Sequence, residues 1–129
     1  MKWYLANLIE YAQIFDKKSK KLLNANYLPY YNNTILIKAR NSEEAYKKAL
    51  KYGKLGERKH LNPYDEIVRW KFAGVEELVE IYGELEDMEE IAYSEGYVRS
   101  VDNIKKKIPR KSELGVFSWE NEMKKRKQK

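Results

Sequence analysis

The chain contains no cysteine and only one histidine in 129 residues. The first absence removes thiol nucleophiles, Cys-ligated zinc and disulfide scaffolding together. The second means that a His-based metal site would need carboxylate partners, and that a Ser-His-Asp relay would have to recruit both partners of His60 from across the fold. His60 stands in a polar segment beside Lys59 and near Asn62-Pro63, where a solvated imidazole is the expected reading. Long apolar runs are missing as well. No window approaches the roughly 18 residues of a membrane span, and the run from Met1 to Glu10 is too short for a signal peptide, so a soluble cytoplasmic protein without a membrane partner is expected. The Gly-rich phosphate cradles and the Gly-x-Ser-x-Gly nucleophile elbow do not occur. The acidic residues Glu84, Glu86, Asp87, Glu89 and Glu90 lack the loop pattern of an EF-hand and read as a solvated turn. No catalytic residue, cofactor or metal is therefore assigned. Glu10, a carboxylate in an otherwise apolar segment, has no partner that the sequence identifies.

Positive charge is present, but its location limits its meaning. Of the formal net charge of +6, five charges sit on Lys124, Lys125, Arg126, Lys127 and Lys129, which leaves the preceding 123 residues at +1. Within them the charge is segregated. Lys17, Lys18, Lys20 and Lys21 share one loop, Lys105 to Lys107 with Arg110 and Lys111 share another segment, and nine acidic residues with no Lys or Arg lie between Glu76 and Glu95. A run of like charge is most simply a solvated face.

The strongest strand signal is Ile67 to Phe72, where Val68, Trp70 and Phe72 alternate with Arg69 and Lys71. Gly74 then marks a bulge or a close approach of another segment. Two readings compete beyond it. Val75, Leu78, Val79, Tyr82, Leu85, Met88 and Ile91 have helical spacing, but a helix would set Glu76/Glu80, Glu80/Glu84 and Glu86/Glu90 at the repulsive i,i+4 separation. The hairpin reading is preferred: Leu78–Gly83 continues the strand, Glu84 to Glu89 turns, and Glu90–Arg99 returns antiparallel.

Elsewhere, Trp3 to Ile14 carries apolar residues in both alternating registers, the pattern of a strand covered on both faces for part of its length. Phe15 to Tyr31 reads as a long connection and Thr34–Ala39 as a short strand. Ser42 is read as the N-cap of a helix with Glu43 and Glu44 in its first turn, a buried stripe of Ala45, Tyr46, Ala49, Leu50 and Tyr52, and a stop at Gly53 or Gly56. Glu57 to Tyr64 reads as a loop. Ser100 to Ile108 forms a short helix stopped by Pro109. Leu114 to Trp119 adds a last strand or packs irregularly. The expected fold is α+β: an antiparallel sheet of about four strands in ββαββ order, one main helix on one face, and a short C-terminal helix. Residues 1–119 form the domain, and 120–129 form a basic tail that is disordered or a frayed helix.

Four segments together resemble a known family. They are Trp3-Tyr-Leu-Ala6; Ile37-Lys-Ala39 with Asn41-Ser-Glu-Glu-Ala45; Trp70-Lys-Phe-Ala-Gly-Val75; and Leu85-Glu-Asp87 with Glu90-Ile91. In this order they are similar to a small bacterial domain of unknown function, family 4288. The resemblance implies a turn at Leu85-Glu-Asp87. Where the family pattern has Gly next, this chain has Met88. The family brings no activity, cofactor or functional residue with it.

Eleven tyrosines remain notable, among them Tyr27, Tyr30 and Tyr31 beside the loop of Lys17, Lys18, Lys20 and Lys21. Aromatics beside lysines suit protein interfaces or stacking on single-stranded nucleic acid. The expected function is a non-catalytic binding module that contacts an unknown protein partner or a second copy of itself. The alternative is a nucleic-acid binder that uses the basic loops and tail, and an enzyme is a distant third.

Overall fold

The computed structural model describes residues 1–82, 86–88 and 94–127. Among them are five strands, β1 (Lys2–Phe15), β2 (Leu28–Ala39), β3 (Arg58–Leu61), β4 (Ile67–Ile81) and β5 (Ser94–Val98). There are three helices, α1 (Ser42–Leu55), α2 (Val101–Lys105) and α3 (Gly115–Lys127), with a 3-10 turn at Lys111–Glu113 before the last. The chain is thus an α+β protein built on one antiparallel sheet in the order β3-β4-β1-β2-β5. The expected class holds, with one strand more than the approximate four.

β1 lies at the centre, which explains its apolar residues in both registers. Tyr4, Ala6 and Leu8 point to one face, where Ala45 and Ala49 of α1 and Leu114, Val116 and Phe117 close over them. Ile9 and Tyr11 point to the other, against Leu28 and Ile104 of α2. A fully buried side chain such as Ile9 or Leu78 contributes roughly 2 kcal/mol of apolar burial. Alanines on α1 let it lie close to the sheet. Gly53 brings it closer still, because a Cβ there would clash with the ring of Phe72. For that reason Gly53 sits inside the helix, while Gly56 ends it.

The bend expected at Gly74 is present. β4 carries two residues without a β1 partner, Ala73 and Glu76, on either side of the pair Ile9↔Gly74. Gly74 itself has φ 150°, and a Cβ there would lie 3.0 Å from Ile108 Cγ2. The strand therefore bends where the segment after α2 packs onto it.

Several local expectations are corrected. Asn41, not Ser42, is the N-cap, its side chain accepting from Glu44 N–H at 2.9 Å; Ser42 is buried inside the first turn. Tyr52 leaves the buried stripe and is 58% exposed. β2 starts at Leu28, six residues before the expected strand, because β5 pairs with it from Leu28 and β1 from Tyr30. Arg58 to Leu61, read as loop, is an edge strand. Its residues are all exposed, so no alternation of apolar side chains announced it. The turn after it is held by Asn62, whose Oδ1 accepts from Tyr64 N–H (3.0 Å) and Glu66 N–H (2.9 Å). Leu114 to Trp119 becomes the approach to α3 and its first turns rather than a strand, and the composition change at Glu120 falls within that helix.

The hairpin needs the largest correction. β4 continues as a strand to Ile81, which rules out a helix running on from Val75. β5 does run antiparallel to β4, but it pairs with β2, from Leu28↔Val98 to Asn32↔Ser94. β1 occupies one edge of β4 throughout, β3 takes the other edge at Ile67 to Trp70, and Gly115 packs beside Val79 further along. β5 adds instead to the outer edge of β2, from Leu28 to Asn32. Of the expected turn, Glu84, Leu85 and Glu89 lie outside the described residues, while Asp87-Met88 is a turn with Met88 at φ 73°.

Candidate interaction site

The seven residues singled out from the sequence do not converge. Tyr30 and Tyr31 are neighbours on β2 and so face opposite sides of the sheet. Tyr30 lies under Lys107, whose Nζ is 5.2 Å from the ring. Tyr27 is exposed and stacks on Tyr97, with centroids 4.3 Å apart. Lys17, Lys18, Lys20 and Lys21 project from a loop closed by Asp16, whose carboxylate accepts from Ser19 N–H (2.8 Å) and Lys18 N–H (3.2 Å). Lys17 reaches Asp65 at 3.4 Å. Only Tyr31 enters the most elaborate cluster on the surface.

That cluster occupies the α1 side of the sheet beyond the point where the helix stops. β1 supplies Glu10, β2 supplies Tyr31 and Asn33, β3 supplies Arg58, and β4 supplies Trp70 and Phe72. Cross-strand register explains the assembly, since Glu10 pairs with both Tyr31 and Phe72, and Trp70 pairs with both Ala12 and Arg58. Ala12 is small enough for the rings of Tyr31 and Trp70 to meet in a stack, centroids 5.2 Å apart and planes 21° apart. Arg58 places its guanidinium carbon 5.0 Å from the Trp70 ring centroid. The same guanidinium donates to Gly56 O at 2.9 Å and to Glu10 Oε2 at 3.3 Å. Beside it opens a hollow of about 380 Å³, lined by Glu10, Asn33, Tyr52, Gly53, Arg58 and Phe72 among others.

Nearby, Glu57 holds the edge in place. Its carboxylate accepts from Phe72 N–H at 3.1 Å and lies 3.5 Å from Lys71 Nζ; these contacts, the backbone donor first, hold its pKa below the ordinary carboxylate value. A second hollow of about 430 Å³ lies where α3 meets the sheet, lined by Lys2, Ser42, Glu80, Tyr82 and Trp119 among others. Its polar groups have partners within the chain: Ser42 Oγ donates to Glu120, and Lys2 pairs with Glu80 at 3.2 Å; beside it Glu77 Oε1 accepts from the first N–H of α3, that of Gly115, at 2.7 Å. Among the described residues no group of three His, Cys, Asp or Glu side chains is placed to hold a metal ion. His60 is exposed on β3.

A family described as a domain of unknown function, DUF4288, matches residues 3–93. The chain belongs to this family. No curated protein and no solved structure matches it. The part of the DUF4288 domain that the family covers includes every residue of the Glu10–Arg58–Trp70 cluster, whereas β5, α2 and α3 follow the matched residues. Sequence reasoning noticed Glu10 and Trp70 separately. It missed Arg58, which joins them, because a four-residue edge strand of exposed side chains carries no periodic signal. No helix of the described residues is long and apolar enough to cross a membrane.

Proposed function

We propose that this DUF4288 domain is a non-catalytic interaction module that docks a protein partner onto the Tyr31–Trp70–Arg58 surface. The observation carrying this reading is the stack of Tyr31 on Trp70 with the Arg58 guanidinium against the same indole, beside a hollow that α1 leaves open. Trp, Tyr and Arg are the residue types that dominate interface energetics, and here one carboxylate and one carbonyl engage Nη1 of the guanidinium and fix its orientation. The surface is thus preorganised, which lowers the ordering cost of association. Cytoplasmic location belongs to the same proposal, and cell fractionation tests it.

Selection of a displayed peptide library on the immobilised domain tests the docking. Peptides sharing a consensus should emerge, and Trp70→Ala should weaken them by more than 2 kcal/mol, about thirtyfold, as expected for an interface anchor. Peptides that bind Trp70→Ala and wild type equally would refute the assignment of this surface. Self-association is a second reading, favoured by the opposite face, where Trp3, Leu5, Leu36 and Ile81 are only partly buried and belong to neither core cluster.

A further inference from the structure

The structure carries a basic hollow unrelated to the interaction cluster, on the other face of the sheet at its β3 end. Two cross-strand rows build it. Gln13, Arg69 and Lys59 form one row, and Phe15, Ile67 and Leu61 form the next. Between them and the loop after β1 lies a space of about 390 Å³ lined by Phe15, Lys20, Lys59, Ile67 and Arg69. Three cations and two apolar side chains therefore face one space, and no carboxylate lines it.

The arrangement is unfavourable without a ligand. Arg69 and Lys59 are direct cross-strand partners, and like charges in that position repel. In the adjacent row the same strand solves the problem conventionally, since Lys71 pairs with Glu57 at 3.5 Å. Among the described residues Lys20, Lys59 and Arg69 have no carboxylate within ion-pair distance; Asp65, at the turn into β4, is held by Lys17. Lys20 is also held in an unusual conformation. Its φ is 62°, a left-handed value uncommon for a residue with a Cβ, and the loop is pinned by Asp16 and by the bridge Phe15↔Leu22. Local strain of this kind persists where surrounding structure over-determines it, and it clusters at ligand-binding sites.

We propose that this hollow binds a nucleotide, its phosphate held by Lys20, Lys59 and Arg69 and its base laid against Phe15 and Ile67. Arg69 supplies a planar fork matched to phosphate oxygens, and the two lysines add point charges. The aromatic and aliphatic row beside the cations gives the base an apolar seat of the kind used in single-strand recognition. The nucleotide is either a free mononucleotide or one unit of a single strand, and the phosphate chemistry is common to both. The site lies across the sheet from Trp70, so it stands or falls separately from the docking surface.

The test uses the full chain with uridine monophosphate, uridine, and a short oligouridylate, reading affinity by calorimetry and stability by thermal melting. Uridine monophosphate or oligouridylate should bind and raise the wild-type Tm, with uridine at least about tenfold weaker, the equivalent of one charge-assisted hydrogen bond. Binding of the oligonucleotide alone assigns the site to a strand, and binding of the mononucleotide assigns it to a free ligand. Lys59→Gln and Arg69→Gln should each lower affinity about tenfold, whereas Lys47→Gln, which removes the same charge from the solvent face of α1, should not. Lys59→Gln should also melt no lower than wild type in the absence of ligand, because it removes a repulsion. Absence of binding to either phosphate compound, equal affinity for uridine, or equal losses in Lys59→Gln and Lys47→Gln would overturn the proposal.

Discussion

Gly74→Ala probes the point where the bent centre of β4 receives the segment after α2. Two costs add. Alanine would have to hold φ near 150°, a conformation that glycine adopts freely and that costs other residues about 1–3 kcal/mol. Its Cβ would also stand 3.0 Å from Ile108 Cγ2 and 3.3 Å from Cγ1. Ile108 follows α2 in an irregular segment, so it can move, and the low end of the overpacking range, about 1 kcal/mol, is appropriate. The expected loss is about 3 kcal/mol, or roughly 10 °C in Tm for a chain of this length. Urea denaturation of a double-mutant cycle with Ile108→Ala separates the two parts. In the Ile108→Ala background the alanine at 74 should cost only its backbone share, about 2 kcal/mol. A Gly74→Ala midpoint equal to that of wild type would refute the strained-backbone reasoning, and identical losses in both backgrounds would refute the steric part.

Asn24→Ala should cost roughly 2 kcal/mol, because Asn24 both accepts from Ile14 N–H (2.8 Å) and donates to Ala12 O (3.1 Å), tying the basic loop to β1; a denaturation midpoint within error of wild type would contradict this. Glu57 has a lowered pKa in the folded state, so the stability it contributes is complete above the ordinary carboxylate value and is lost as pH falls through the lower folded value. Wild type should therefore weaken more steeply than Glu57→Gln between about pH 5 and pH 3, and parallel curves would count against the role of Glu57. Met88→Gly should raise stability by about 0.5–1 kcal/mol, since Met88 holds φ 73° at an exposed turn where it buries nothing; a lower Tm would show that its side chain matters. Sedimentation equilibrium should detect a dimer that Leu5→Lys dissociates, and a monomer mass at high micromolar wild-type concentration would exclude self-association through the Leu5 face.

By itself the sequence determined the class, the central strand and the main helix. Alternation in Trp3 to Ile14 and Ile67 to Phe72, and the acidic first turn with alanines after Asn41, act within a few residues, so local pattern and local energetics agree. It also favoured a strand over a helix from Leu78 on, because glutamates at i,i+4 oppose a helix, and β4 does run on to Ile81. Tertiary structure decided the rest. β3 exists because β4 offers it hydrogen bonds, not because Arg58-Lys-His-Leu61 prefers extension. Gly53 is a contact rather than a stop because Phe72, nineteen residues later, lies beneath it. β5 joined β2 rather than β4, a fact about neighbours that no window of sequence contains. The candidate sites depend most on this level. Glu10 and Arg58 are 48 residues apart, and Lys20, Lys59 and Arg69 come from a loop and two strands; strand register makes each set adjacent, and register is a property of pairs.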